Sequence, residues 1–130
     1  MEQSFRSYRD LEVWQRAMKL VKEIYKATSK FPTDERFGLV NQIRRAAVSI
    51  PSNLAEGHAR ASAAEFSRFI LISMGSVAEL ETQILLSADL GFLDDKSKQL
   101  LLDESDQIGK MLRGLSKAIV RRKENARKID

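Results

Sequence analysis

Apolar residues recur at steps of three and four along most of this chain, and each such stretch predicts a helix with one buried stripe. The first runs from near Asp10, a candidate N-cap, to just before Phe31-Pro32, with Leu11, Trp14, Met18, Val21, Tyr25 and Thr28 on its stripe. Lys19, Lys22, Lys26 and Lys30 fall on roughly the opposite face, at about 100° per residue, and read as a solvated side. Pro32-Thr33-Asp34-Glu35 marks a turn and the next helix start, after which Leu39, Ile43, Ala46, Ile50 and Gly57 continue the periodicity. Pro51 falls inside this second stretch. The apolar spacing keeps its phase across the proline, so one kinked helix is predicted in preference to two shorter ones with Pro51 opening the second.

Gly57-His58-Ala59-Arg60-Ala61 reads as the second connection, and Ser62 with Glu65 has capping-box spacing for a third helix. That helix is expected to reach about Leu90, where Gly91 supplies a stop, with Phe66, Ile70, Ser73, Val77, Leu80, Ile84 and Ser87 inward. Asp94-Asp95 open a fourth, whose stripe is Leu101, Ser105, Ile108, Leu112, Leu115 and Ile119. Short connections make neighbours antiparallel. The predicted fold is all-α: an antiparallel, up-and-down four-helix bundle with a kinked second helix, forming a single domain over residues 1–130.

The third helix carries more apolar residues than one stripe needs. Ile72 and Leu86 lie opposite Phe66 and Ile84, Leu71, Met74 and Leu85 fill the flanks, and Gly75 shares the outward side with Ile72. A helix apolar on most of its circumference is buried on more than one side. Ile72, Gly75 and Leu86 are therefore the candidate contact with another subunit, and the chain is expected to form a homo-oligomer.

Composition narrows the classes. With 43% hydrophobic and 31% charged residues, two prolines and six glycines in 130 residues, the chain is too apolar for disorder and too poor in turn residues for a many-stranded sheet. The absence of cysteine excludes disulfides, thiolate metal sites and thiol catalysis. The first residues lack a signal-peptide core, and uninterrupted apolar runs such as Phe69 to Ile72 are too short for a bilayer, so a cytoplasmic protein without a membrane partner is expected.

The net charge of +4 is unevenly placed: from Lys110 onward there are eight basic and two acidic residues, against 14 basic and 16 acidic before it. Lys110, Arg113, Lys117, Arg121 and Lys128 share one side of the fourth helix if it continues past Ile119, and Arg122, Lys123 and Arg127 add charge at its end. Cations also suit a helix C-terminus for its dipole alone. The functional reading is contact with phosphates, whose affinity comes largely from released counterions. Nucleic-acid contacts are assigned to Lys117, Arg121, Arg122, Lys123, Arg127 and Lys128, with Arg44 and Arg45 as secondary candidates.

Little else carries chemistry. His58 is the only histidine and lacks the Glu-x-x-His spacing of carboxylate-bridged metal bundles. Glu79 and Glu81, two apart, point to different faces and make a poor acid–base pair. No phosphate loop, zinc spacing or Ser–His–acid grouping is present. Catalytic residues, metal ligands and cofactors are therefore not assigned, and no enzyme is expected. Gln42, Asn53, Glu56 and Glu81 are expected to form a structural polar network, with Glu81 or Arg60 as partner, because buried amides need partners.

Three stretches carry a family resemblance: Leu11-Glu12-Val13-Trp14-Gln15-Arg16-Ala17, the run Gln42-Ile43-Arg44-Arg45-Ala46-Ala47-Val48-Ser49-Ile50-Pro51-Ser52-Asn53-Leu54-Ala55-Glu56-Gly57, and Gly75-Ser76-Val77-Ala78-Glu79-Leu80-Glu81-Thr82. They resemble the bacterial four-helix bundle family found in intervening sequences of 23S ribosomal RNA genes. The resemblance implies a four-helix bundle assembled as a homopentamer. It is more distantly similar to the accessory variability protein of diversity-generating retroelements, a basic pentameric barrel that binds nucleic acid and a reverse transcriptase. It offers no catalytic residues to transfer. The expected function is a noncatalytic oligomer that binds RNA or DNA; the alternative is an oligomeric scaffold for a protein partner.

Overall fold

The computed structural model describes residues 7–129, except for the side chains of residues 123 and 126–129. Four helices make up the bundle: α1 (Glu12–Thr28), α2 (Leu39–Ala59), α3 (Ala63–Asp89) and α4 (Asp95–Ile129). Short 3-10 turns at Tyr8–Asp10 and Thr33–Glu35 precede α1 and α2. Successive helices run antiparallel and enclose one apolar core, centred on Leu20, Ile24, Ile43, Ile50, Leu54, Ile70, Leu80, Ile84, Ile108 and Leu112.

The start of α1 differs from expectation. Asp10 does not cap it: the Asp10 carboxylate accepts the Ser7 N–H at 3.3 Å, closing a capping box around the first 3-10 turn, and Leu11 takes the N-cap position. The stripe is rotated as well. Val13, Ala17, Leu20, Ile24 and Thr28 are buried, whereas Trp14, Met18 and Val21 lie on its flank and Tyr25 is 43% exposed. Both rows have helical spacing; the row of aliphatics goes inward and the rings stay at the boundary, where their polar atoms reach water. Trp14 packs edge-on against Tyr8 at 5.3 Å between ring centres. The four lysines lie opposite the buried row, as their spacing requires.

One helix runs through Pro51, as the unbroken phase predicted. The proline has no N–H for the Ala47 carbonyl, and side chains bond the backbone around it. Asn53 Nδ2 donates to the Ser49 carbonyl at 2.8 Å, and Ser73 Oγ on α3 donates to the Ile50 carbonyl at 3.0 Å. The helix also continues through Gly57 and His58 to Ala59, so the second connection is shorter than expected. Gly57 is there for close packing and not for a turn. A Cβ on it would stand 2.5 Å from the Phe69 Cβ of α3. The reversal falls at Ala61, whose φ of 55° is left-handed.

Ser62 caps α3 as predicted, its Oγ accepting the Glu65 N–H at 3.3 Å. At the other end Gly91 takes φ 85°, Gly91 N–H bonds the Ala88 carbonyl and Phe92 N–H bonds the Ser87 carbonyl, the paired arrangement of a Schellman stop. Phe92 then packs at a tilt against Phe31, 5.4 Å between ring centres, tying this end of the bundle to the α1–α2 connection. Asp94 opens α4 by accepting the Ser97 N–H at 2.7 Å, and that bond holds its carboxyl below the ordinary aspartate range.

The expectation that no segment is apolar enough to cross a bilayer needs correction for α3. Counted over an 18-residue window, and not as uninterrupted runs, its mean hydropathy reaches 1.5. In the bundle α3 packs on both α2 and α4, with Phe69, Ile70, Ser73, Ser76, Val77, Leu80, Gln83, Ile84 and Ser87 buried. The surplus apolar residues lie on its outer face.

Candidate nucleic-acid interface

Helix lengths place the basic end. At 1.5 Å per residue, α4 is about 52 Å long and α3 about 40 Å, so the antiparallel partner runs out near Arg121 and α4 projects beyond the bundle. The helix does continue past Ile119, its last buried residue among those described, and Val120 is already 46% exposed. Lys110, Arg113, Lys117, Arg121 and Arg122 are all exposed. Lys110 Nζ pairs with Asp106 at 3.5 Å, while Lys117, Arg121 and Arg122 have no ion pair among the described residues. The side chains of Lys123, Arg127 and Lys128 lie outside the described residues; only their backbone, within α4, is described. Arg122 also lines a cavity of about 290 Å³ with Leu11, His58, Phe66, Leu115 and Ile119. His58 stands edge-on to Phe66 at 5.6 Å, half-buried in the last turn of α2.

Arg44 and Arg45 are not part of this surface. They sit in the first half of α2, at the end of the bundle away from the projecting helix. Arg44 Nε donates to Thr28 Oγ1 at 2.9 Å, its Nη2 to the Tyr25 carbonyl at 3.3 Å, and its guanidinium lies 4.3 Å over the Tyr25 ring. Arg45 is exposed. The two basic regions are thus separate surfaces.

The outer face of α3 presents the predicted trio. Ile72 is 40% and Leu86 46% exposed, and a Cβ on Gly75 would meet nothing within 4 Å. Leu71, Leu85 and Leu90 are exposed beside them, which makes an apolar strip along most of the helix.

Of the expected polar network, the Glu56–Arg60 pair and the Asn53 bonds form, but Gln42 and Glu81 do not join them. Gln42 is exposed, Glu56 pairs within its own helix with Arg60 at 2.8 Å, and Glu81 faces α4. Asn53 alone joins a network, donating to Ser49 Oγ at 2.8 Å, which shares a 2.8 Å hydrogen bond with Ser76 of α3. Small hydroxyls thus bridge α2 and α3 beside their apolar contact. The buried amide is Gln83, whose Oε1 has no partner among the described residues. Partial burial raises the Glu81 carboxyl above the ordinary glutamate range, Asp106 adds to that, and Arg113 opposes it. No cluster of three or more metal-ligating side chains occurs among the described residues. Across the opposite side of the bundle, Arg16 grips Glu104 of α4 with two bonds of 3.0 and 2.9 Å.

The fold defines an all-α class of antiparallel four-helix bundles, here with basic surfaces. Within it, the chain belongs to the 23S rRNA-intervening sequence protein family, whose pattern it matches over residues 9–114. Among solved structures it is similar to a protein of unknown function from the S23 ribosomal protein family of Bacteroides thetaiotaomicron, at 21% identity and a TM-score of 0.75. That similarity covers 81% of this chain and 95% of the other, and it supports the fold alone. No curated protein matches the chain.

Proposed function

We propose that the chain is a noncatalytic, oligomeric nucleic-acid-binding protein that contacts phosphates through the basic end of α4. The observation that carries this reading is the projection of α4 beyond the bundle with Lys117, Arg121 and Arg122 exposed and without ion pairs among the described residues. Cations held away from carboxylates on a protruding helix are free to replace counterions along a phosphate backbone. The family's tie to 23S rRNA intervening sequences favours RNA as the ligand. The apolar strip of Ile72, Gly75 and Leu86 favours a homo-oligomer, for which the resemblance implies five copies. Repetition of the basic end around such a ring multiplies weak contacts by avidity.

The test is anisotropy of labelled RNA and DNA across a salt series, with wild type and an Arg121→Gln/Arg122→Gln variant. The variant is expected to bind more weakly across sequences, with a shallower salt dependence. Equal affinity and slope would remove α4 from the interface. The apolar strip also favours a second reading, a scaffold that recruits a protein partner; absence of any nucleic-acid binding at low salt selects it. A strictly monomeric mass by light scattering at micromolar concentration would refute the oligomer.

A further inference from the structure

A second basic surface lies between α1 and α2. A groove of about 470 Å³ is lined by Tyr25, Arg36, Val40, Asn41, Arg44, Arg45, Val48 and Ser49, and a smaller hollow of about 240 Å³ extends it past Arg36 and Arg44 toward Phe31. Three arginines line this surface and no carboxylate does. Three other arginines of the bundle are neutralised: Arg16 by Glu104, Arg60 by Glu56 and Glu65, Arg68 by Glu65. Among the described residues, Arg36, Arg44 and Arg45 have no such partner. Glu35, the nearest acid in sequence, turns its Oε1 to the Leu39 N–H at 3.3 Å.

Arg44 is fixed without being neutralised. Thr28 Oγ1, itself donating to the Ile24 carbonyl at 2.7 Å, receives the Arg44 Nε bond, and the Tyr25 carbonyl and ring hold the rest of the guanidinium. A positive charge in a set position with its full charge available suits an anion whose position is also fixed, such as a phosphodiester.

One aromatic ring lines the groove and a second stands beside it, next to one of its arginines. Tyr25 is 43% exposed beneath Arg44, and Phe37 is 87% exposed with Arg36 6.0 Å from its ring centre. A phenylalanine so exposed contributes almost nothing to the core. A ring within an arginine-lined groove and an exposed ring at its edge beside Arg36 match the surfaces on which unpaired bases stack while cations follow the backbone. A duplex keeps its base faces covered and has no use for them.

We infer that the α1–α2 groove binds a single-stranded, unpaired nucleic-acid segment, with Arg36, Arg44 and Arg45 on phosphates and Phe37 and Tyr25 stacking bases. This rests on the nucleic-acid reading above and adds a site at the opposite end of the bundle from the projecting α4. A ligand spanning both places its paired portion on α4 and its unpaired portion in the groove.

The test compares a labelled short oligouridylate with an RNA duplex of equal phosphate number, using the full chain. Phe37→Ala, whose ring is outside the core, is expected to weaken the single strand by about tenfold and to leave the duplex unchanged. Arg36→Gln/Arg45→Gln is expected to weaken the single strand and flatten its salt dependence. Wild-type single-strand binding by both variants would overturn the groove, and if Arg121→Gln/Arg122→Gln then abolishes binding, the α4 reading stands without it. Equal binding of a labelled poly-glutamate peptide, insensitive to Phe37→Ala, would overturn it in favour of an acidic protein partner. Failure of wild type to bind any nucleic acid would remove both readings together.

Discussion

Gly57→Ala adds one carbon at the tightest point of the bundle. The new Cβ would stand 2.5 Å from Phe69 Cβ, 3.2 Å from Phe69 Cγ and 3.3 Å from Phe66 Cδ1. Phe66 can swing aside, but Phe69 Cβ is attached directly to the α3 backbone and no rotamer moves it. Restoring ordinary carbon–carbon contact therefore requires α2 and α3 to separate locally by about 1 Å. That separation strains the neighbouring Ser73–Ile50 bond and loosens the core around Leu54 and Ile70. Overpacking of this kind costs about 1–3 kcal/mol, and the gain in helix propensity from glycine to alanine returns about 1 kcal/mol. Because the clash involves a backbone-anchored atom, the upper part of that range applies, leaving a net loss of about 1–2 kcal/mol. Urea and thermal unfolding at fixed protomer concentration should show it, the midpoint falling by about 3–8 °C. Gly114→Ala is the internal control, since a Cβ there meets nothing within 4 Å. It should gain up to about 1 kcal/mol. A Gly57→Ala protein as stable as wild type would refute the claim that this glycine sets the α2–α3 distance.

The same substitution at Gly75 tests the subunit face: a free surface predicts stabilisation like that of Gly114→Ala, whereas a packed interface predicts a lower assembled mass by light scattering. Glu104→Gln breaks the two-bond grip on Arg16, whose side chain and that of its partner are 33% and 34% exposed. It should cost about 0.5–1.5 kcal/mol in urea unfolding and cost less at high salt; an unchanged stability at low salt would show that α1 and α4 are held by apolar packing alone. Glu81→Gln should stabilise the fold at neutral pH. Its folded-state pKa is raised above the unfolded value, so ionisation weakens the native chain as pH rises through the raised value, and the variant's advantage should close about one pH unit below the unfolded value of about 4.3, where both states are protonated. A variant no more stable than wild type at pH 7 would contradict this.

The helices were legible because their ends and stripes are written locally. Ser62, Gly91 and Asp94 each satisfy or terminate backbone hydrogen bonding within a few residues, and each does so where the sequence placed it. The α3 and α4 stripes were read in phase for the same reason. The misreadings involve choices made between helices. Two rows of α1 have equivalent spacing, and only packing decides that Val13, Ala17, Leu20 and Ile24 go inward while Tyr25 stays out. Gly57 has the composition of a turn but serves a close approach to Phe69, which no local pattern encodes. Gln42 and Glu81 are misplaced in the polar network because a helical wheel shows which residues share a face and not which helix lies opposite; the buried amide is on α3, at Gln83.

The groove is only partly legible in the sequence. Between Glu35 and Glu56 there are three arginines and no carboxylate, but Arg36 and Phe37 fall in a turn, where helical periodicity gives no weight to them. The fold supplies what the spacing lacks. The α1–α2 reversal brings Tyr25 beneath Arg44, and the second 3-10 turn sets Arg36 beside Phe37. An up-and-down bundle then keeps that end apart from the C-terminus of α4, since α2 begins where α4 also begins. Arginines without ion pairs among the described residues therefore lie at both ends, although the net positive excess of the chain falls after Lys110. A single tail of cations predicts one salt-dependent affinity that ignores strandedness. Two separated surfaces, only one of them aromatic, predict that strandedness and salt are read at different places on the molecule and are removed by different substitutions.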